Sequence, residues 1–168
     1  MMAYTKVVAC TAIAALTLGL AACGDAPGEG GAGTPPIEAA PPPVVEERQA
    51  NFKAMGKAFK AIRTQLEGES PDKAAIATAA TDLNAAALKI EGYFPEGTSV
   101  DDGYDTEALA TIWEKPEDFA AAHQRLVDAS AQMITLAEGG DVTAIGDQVG
   151  AIGGSCKNCH DTFRLDTD

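Results

Sequence analysis

Four residues in the segment GGSCKNCHDTFR, Gly153 to Arg164, have side chains that can do chemistry: Cys156, Cys159, His160 and Arg164. Sulfurs spaced in this way serve a redox disulfide, a metal site or a covalently held haem. Two cysteines three apart, followed at once by a histidine, read as a c-type haem attachment. On a helix that spacing puts both sulfurs on one face, at about the separation of the two haem vinyl groups, so each can form a thioether. His160 then turns its imidazole to the iron as the fifth ligand. A thioredoxin-type pair belongs at a strand-to-helix start in an α/β fold, and no such pattern is visible. A zinc site needs a fourth ligand, which His123 would have to supply. His123 stands beside the inward stripe of its own helix and reads as a partly exposed surface residue.

Helical periodicity must place these groups, and it recurs four times. A first helix is expected over about 46–66, with its stripe at Phe52, Met55, Phe59, Ile62 and Leu66. Ser70-Pro71-Asp72 breaks the chain, and a second helix is expected over about 72–93, with Ile76, Ala79, Leu83, Ala86 and Ile90 inward. A long connection follows, with one helical turn near 107–112. Pro116 opens a third helix with Glu117 and Asp118 at its positive end, and Gly139-Gly140 closes it. Asp141 caps the fourth, whose stripe runs Ile145, Val149, Ile152, Cys156, Cys159 and Phe163. No segment alternates with period two for long enough to make a sheet. The fold class is therefore all-α, an antiparallel four-helix bundle, with the cysteines on its inward face near the C-terminus. Gly146, Gly150, Gly153 and Gly154 interrupt the fourth helix at about 1 kcal/mol each relative to alanine. They mark either close passage of backbone against a porphyrin or a neighbouring helix, or a weak helix start.

The chain begins with an export signal. Lys6 precedes a short apolar run from Val7, and the run ends in Leu20-Ala21-Ala22-Cys23. This end is similar to a bacterial lipobox, which implies cleavage after residue 22 and lipidation of Cys23. Ordinary cleavage near the alanines, releasing a soluble periplasmic protein, is the alternative. Residues 23–45 are Gly, Pro, Ala and acid without periodicity, and read as a disordered tether spanning roughly 25 Å. The expected organisation is thus a signal at 1–22, a tether at 23–45 and a haem domain at 46–168, on the periplasmic side of a bacterial membrane. Cys10 leaves with the signal and Cys23 takes the lipid, so Cys156 and Cys159 have no other cysteine to pair with.

Net charge narrows the partners. The formal charge of −13 becomes −14 once the signal is gone, because it carries one lysine and no acid. Nucleic acid is excluded as a partner, since it is bound through Lys and Arg, and so is a polybasic hold on lipid. Membrane contact is expected through Cys23 alone. Lys53, Lys57 and Lys60 form a basic edge on the first helix, either a solvated face or an approach surface for a periplasmic redox partner or a second subunit.

Taken together, RQANFKAMG at 48–56, FPEGTS at 94–99, IWEKPEDF at 112–119 and the C-terminal haem motif resemble the cytochrome c' family over roughly residues 46–165. The resemblance implies an up-down-up-down bundle and a five-coordinate, high-spin haem with His160 proximal. It implies that an apolar side chain four residues after an arginine closes the distal face; here the arginine is Arg48 and the distal residue Phe52. It also implies that Arg164, one turn past His160, lies near the proximal face, and that subunits pair through the first two helices. A phenyl ring has no lone pair for iron, so the expected ligands are small neutral gases, NO and CO, with one-electron transfer also open to the haem. The alternative is a six-coordinate low-spin electron carrier with a methionine as sixth ligand. Met55 is the candidate, although it reads better as a core residue. Enzymatic turnover of the peroxidase kind lacks an acid–base histidine on the distal stripe, so the chain reads as a gas-binding or electron-transfer protein.

Overall fold

A computed structural model describes residues 42–167. The signal segment, Cys23 and all but the last few residues of the tether lie outside the described residues. Five helices follow in order: α1 Pro43–Glu67, α2 Lys73–Ala87, a single turn α3 Thr111–Glu114, α4 Pro116–Gly139 and α5 Val142–Phe163. Two short 3-10 turns, Ile90–Tyr93 and Val100–Asp102, lie in the connection between α2 and α3. Among the described residues there is no strand; an isolated antiparallel bridge joins Ala108 to Arg164. The four long helices form an up-down-up-down bundle in which α1 packs on α2, α2 on α4 and α4 on α5.

Helix ends follow the local chemistry. Asp72 caps α2 by accepting from the Ala74 and Ala75 amides at 2.9 and 3.2 Å, and Asp141 caps α5 through Thr143 and Ala144 at 3.0 and 3.1 Å. Gly140 ends α4 at φ 71°, in the left-handed region, as a helix C-terminus commonly requires.

The single turn expected near 107–112 falls at Thr111–Glu114, and two boundaries of the long helices also differ from the expectation. α1 starts at Pro43, so residues 43–45, read as the end of the tether, are its first turn. Proline at this position loses no helical hydrogen bond, and Val45 is 1 % exposed, so it adds core to the helix. α2 stops at Ala87 rather than 93. Two side chains from other helices take its last carbonyls: Asn51 Nδ2 donates to Ala86 O at 2.9 Å, and His123 Nε2 lies 2.9 Å from Ala87 O. An imidazole N–H donating there satisfies a carbonyl the next turn of helix would otherwise claim. His123 is half-buried, as its place beside the stripe suggested, but it ties α4 to the end of α2.

Ile62, Ile76, Leu83, Met133, Ile145 and Ile152 are fully buried at the centre. Each contributes about 1.5–3 kcal/mol relative to an exposed side chain. The alanines of α2 let it lie close to its neighbours. α1 and α5, in contrast, barely meet. Their close approach is at Phe59, whose Cζ would stand 3.9 Å from a Cβ placed on Gly153. A Cβ on Gly146, Gly150 or Gly154 would meet nothing within 4 Å. Of the four glycines, then, Gly153 alone faces a neighbouring helix closely, on the seam between α1 and α5.

Candidate haem site

Cys156 and Cys159 lie one turn apart on α5, both half-buried free thiols. Cys156 packs against the main core. Cys159 packs against a second apolar cluster of Ala108, Ile112, Ala122 and Phe163. Burial pushes both thiols up. For Cys159 the rise reaches about 11, with Cys156 adding to it and the Arg125 charge opposing it. Both sulfurs face hydrocarbon, which suits attachment to a largely apolar ring. The zinc alternative fails on geometry. Among the described residues no three His, Cys, Asp or Glu side chains could hold a metal together, and His123 is committed to Ala87.

His160 stands in the last turn of α5, exposed to solvent beside Cys159. Its pKa is lowered, first by partial desolvation and then by the Arg164 charge, against smaller opposing effects of Glu107 and Asp161. The lowered pKa favours neutral imidazole, the form that can ligate iron. Arg164 follows as the first residue past the helix, and its Nε donates to Glu107 Oε2 at 2.6 Å. That bond, more than any other influence, holds the Glu107 carboxyl below its ordinary value. The main chain is stitched at the same place: Leu109 N donates to Phe163 O at 3.1 Å and Leu165 N to Glu107 O at 2.7 Å. The end of the motif helix is therefore fixed to the 107–111 segment. Sequence reading missed Glu107, because its partner is 57 residues away and neither spacing nor composition links them.

Across the seam from α5 lies α1. Phe59 and Gly153 set the register of the two antiparallel helices. Seven residues back from Phe59 is Phe52, and seven residues on from Gly153 is His160. Both steps rise about 10.5 Å in the same direction, so ideal helix rise brings Phe52 and His160 to about one height on opposite sides of the seam. Arg48 and Arg164 fall at one height by the same rule. Phe52 is half-buried and meets the Phe94 ring edge-on, with centroids 6.3 Å apart. Met55, one turn further on, is 6 % exposed and packs in the main core. Lys53, Lys57 and Lys60 are exposed.

Arg48 is the larger surprise, being only 3 % exposed. Its guanidinium donates to Tyr93 O at 3.3 Å, Thr98 Oγ1 at 3.0 Å, Thr98 O at 2.9 Å and Thr106 Oγ1 at 2.8 Å. It also lies 4.8 Å from the centre of the Phe94 ring. Burial lowers its pKa, but a guanidinium remains charged. Every one of these partners is a neutral oxygen or a ring, and no carboxylate forms an ion pair with Arg48 among the described residues. Such a charge is suited to an acidic group of a ligand held in the seam. The residues present thus fit a covalently held haem: two apolar-facing thiols one turn apart, an adjacent imidazole and, on α1 across the seam, a buried cation without a carboxylate partner.

Comparison with known proteins agrees. The sequence profile of the family described as Cytochrome C' matches residues 43–164. Cytochrome c' of Pararhodospirillum photometricum is 36 % identical over 127 residues, spanning 75 % of this chain and 99 % of that protein. Among solved structures, cytochrome c' from Rhodobacter spheriodes superimposes with a TM-score of 0.67 at 34 % identity, covering 73 % of this chain and 95 % of the other. A nitric oxide complex of a point mutant of cytochrome c prime from Alcaligenes xylosoxidans superimposes with a TM-score of 0.66 at 26 % identity, over 73 % and 94 %. The match runs the length of the bundle, and the chain belongs to the cytochrome c' family, whose members hold haem c covalently.

Proposed function

We propose that this protein binds nitric oxide and carbon monoxide at a five-coordinate haem, with His160 proximal and Phe52 distal, and that it can pass single electrons through the same group. The observation that supports the reading is the approach of Phe59 to Gly153, from which ideal helix rise brings Phe52 to about the height of His160. Bound haem supplies an iron that takes a diatomic ligand and exchanges one electron. Cys156 and Cys159 anchor the ring to α5, and His160 presents a neutral nitrogen beside them. Phe52 has no atom able to ligate, and its ring excludes water and anions from the distal side. Arg48 offers a buried positive charge to a propionate, and Arg164 places a second charge next to the imidazole. The nitric oxide complex of the Alcaligenes relative supports the choice of ligand. Met55 offers little to the six-coordinate alternative, because its side chain is enclosed in the core. The reduced protein should show a high-spin spectrum that shifts on adding CO. A low-spin reduced spectrum that CO leaves unaltered would overturn the proposal and return Met55 to consideration.

We further infer that the bundle works on the periplasmic side of a bacterial membrane, tethered through a lipid on Cys23, with residues 1–22 removed. The supporting features are the signal pattern and the Leu-Ala-Ala-Cys end. No helix among the described residues is long and apolar enough to cross a membrane. Intact mass of the mature protein, purified from membranes in detergent, should equal a chain starting at Cys23 plus haem and acyl groups. A detergent-free soluble protein whose mass begins past Cys23 would refute the anchor.

A further inference from the structure

α1 by itself leaves the Phe52 ring a choice of rotamers, and the half-buried residue needs a partner to hold it across the seam. Phe94, the residue after the first 3-10 turn, is placed to do this. Its ring meets Phe52 edge-on at 6.3 Å, Phe119 of α4 at 4.9 Å and Trp113 of α3 at 6.3 Å. The Arg48 guanidinium lies 4.8 Å from its centre. The backbone is pinned too: Trp113 Nε1 donates to Phe94 O at 3.1 Å, and Arg48 holds the carbonyl of Tyr93. Arg48 and Phe52 lie one turn apart on the same face of α1, so Phe94 is seated against both. Behind it, Phe119 is backed in turn by Phe163, 5.3 Å away. Three elements and a buried cation therefore fix Phe94.

We propose that Phe94 is a positioning residue for the distal pocket: it sets the angle of the Phe52 ring and so limits the size of ligand that reaches the iron. This rests on the reading of Phe52 as the distal residue. Edge-to-face packing has a preferred geometry, so a fixed Phe94 transmits one orientation to Phe52. A branched aliphatic side chain at 94 would fill much of the space without the directional edge contact. Phe52 would then swing, and the pocket would admit larger ligands.

The test uses the reduced haem protein and its Phe94→Leu, Phe94→Tyr and Phe52→Val variants. CO association should speed up about tenfold in Phe94→Leu, which is roughly 1.4 kcal/mol of barrier. Ethyl isocyanide, bulkier than CO, should bind that variant measurably and the native protein far more weakly. Phe94→Tyr, which keeps the ring, should restore native behaviour. Were CO and isocyanide binding unchanged in Phe94→Leu but altered in Phe52→Val, the positioning role would be refuted and the distal assignment kept. Were neither variant to differ from native, the distal assignment would fall, and this proposal with it. Should Phe94→Leu not fold, the native CO adduct still decides. Proton NMR should show direct contacts between the Phe52 and Phe94 rings, and their absence would overturn the proposal.

Discussion

Replacing Phe52 with methionine should convert the reduced protein from high to low spin and suppress CO binding. The register across the seam puts residue 52 level with His160, on the opposite side of the site. On the proposed reading phenylalanine there blocks without binding; methionine has similar reach, an unbranched chain and a thioether that suits iron. Bulk is nearly preserved, so the bundle should tolerate the change at a cost under about 1.5 kcal/mol. Once sulfur occupies the sixth position, CO binds only in the fraction of molecules where it is displaced. If that fraction is about one in a hundred, the apparent CO affinity falls about a hundredfold. Absorption of the reduced variant, with a CO titration, reads both effects. Phe52→Leu is the control, since it removes the ring without supplying a ligand and should stay high spin. Met55→Leu should leave the spectrum untouched, because Met55 lies in the core. An unchanged spectrum in Phe52→Met would mean that residue 52 does not face the iron.

What could be read in the sequence was whatever depends on residues close in the chain. The haem motif lies within five residues, and the four stripes repeat every three or four, so the motif, its helix and the bundle were all visible. Asp72, Pro116, Gly140 and Asp141 mark helix ends through their own backbone or side-chain chemistry, and the structure uses them so. The early end of α2 was not visible, because Asn51 and His123 reach its last carbonyls from 35 and 36 residues away. The start of α1 was hidden for another reason: Pro43 and its neighbours resemble the tether in composition, and only the burial of Val45 sets them apart. The four glycines looked alike in sequence. Whether one faces a ring or open space depends on the partner helix, and only Gly153 has a partner close by.

The site divides along the same line. Cys156, Cys159 and His160 are local and were named from spacing. Phe52 came by resemblance, and a single contact, Phe59 on Gly153, gives it a geometric basis. Arg48 also came by resemblance, but its partners at Tyr93, Thr98 and Thr106 lie 45 to 58 residues away. FPEGTS was noticed as a segment without its function being visible. Residues 94–99 supply the ring and two of the four acceptors, both on Thr98, that surround a buried cation. Glycine, proline and small polar residues make such a loop bend round one side chain, yet its composition is that of any turn.

Replacing Arg48 with leucine should therefore be the most destabilising single change in this half of the molecule. The guanidinium is 3 % exposed and serves four acceptors, two hydroxyls and two carbonyls. Leucine fills part of the volume and satisfies none of them. Threonine hydroxyls can turn to other partners, but the Thr98 carbonyl, buried, and the Tyr93 carbonyl, part-buried, cannot turn, so at least the two main-chain groups lose their donor. Each unsatisfied group costs about 1–3 kcal/mol, giving a loss of about 3 kcal/mol. For a domain of this size that corresponds to a fall of roughly 10 °C in Tm. Arg48→Lys should fall between the two, because a single ammonium keeps the charge but cannot span donors set out as a fork. Hydrogen exchange separates this anchoring role from a general weakening. Amides of residues 93–106 should lose protection in Arg48→Leu well before those at the centre of α2 and α4. The same variant should bind CO faster than native, because Phe94 loses the cation that seats it and Phe52 loses its fixed neighbour. A Tm within about 2 °C of native, with unaltered exchange in the loop, would show that the loop holds its shape without Arg48. Loop exchange that rises while CO binding stays native would mean that Arg48 anchors the chain but plays no part in shaping the distal pocket.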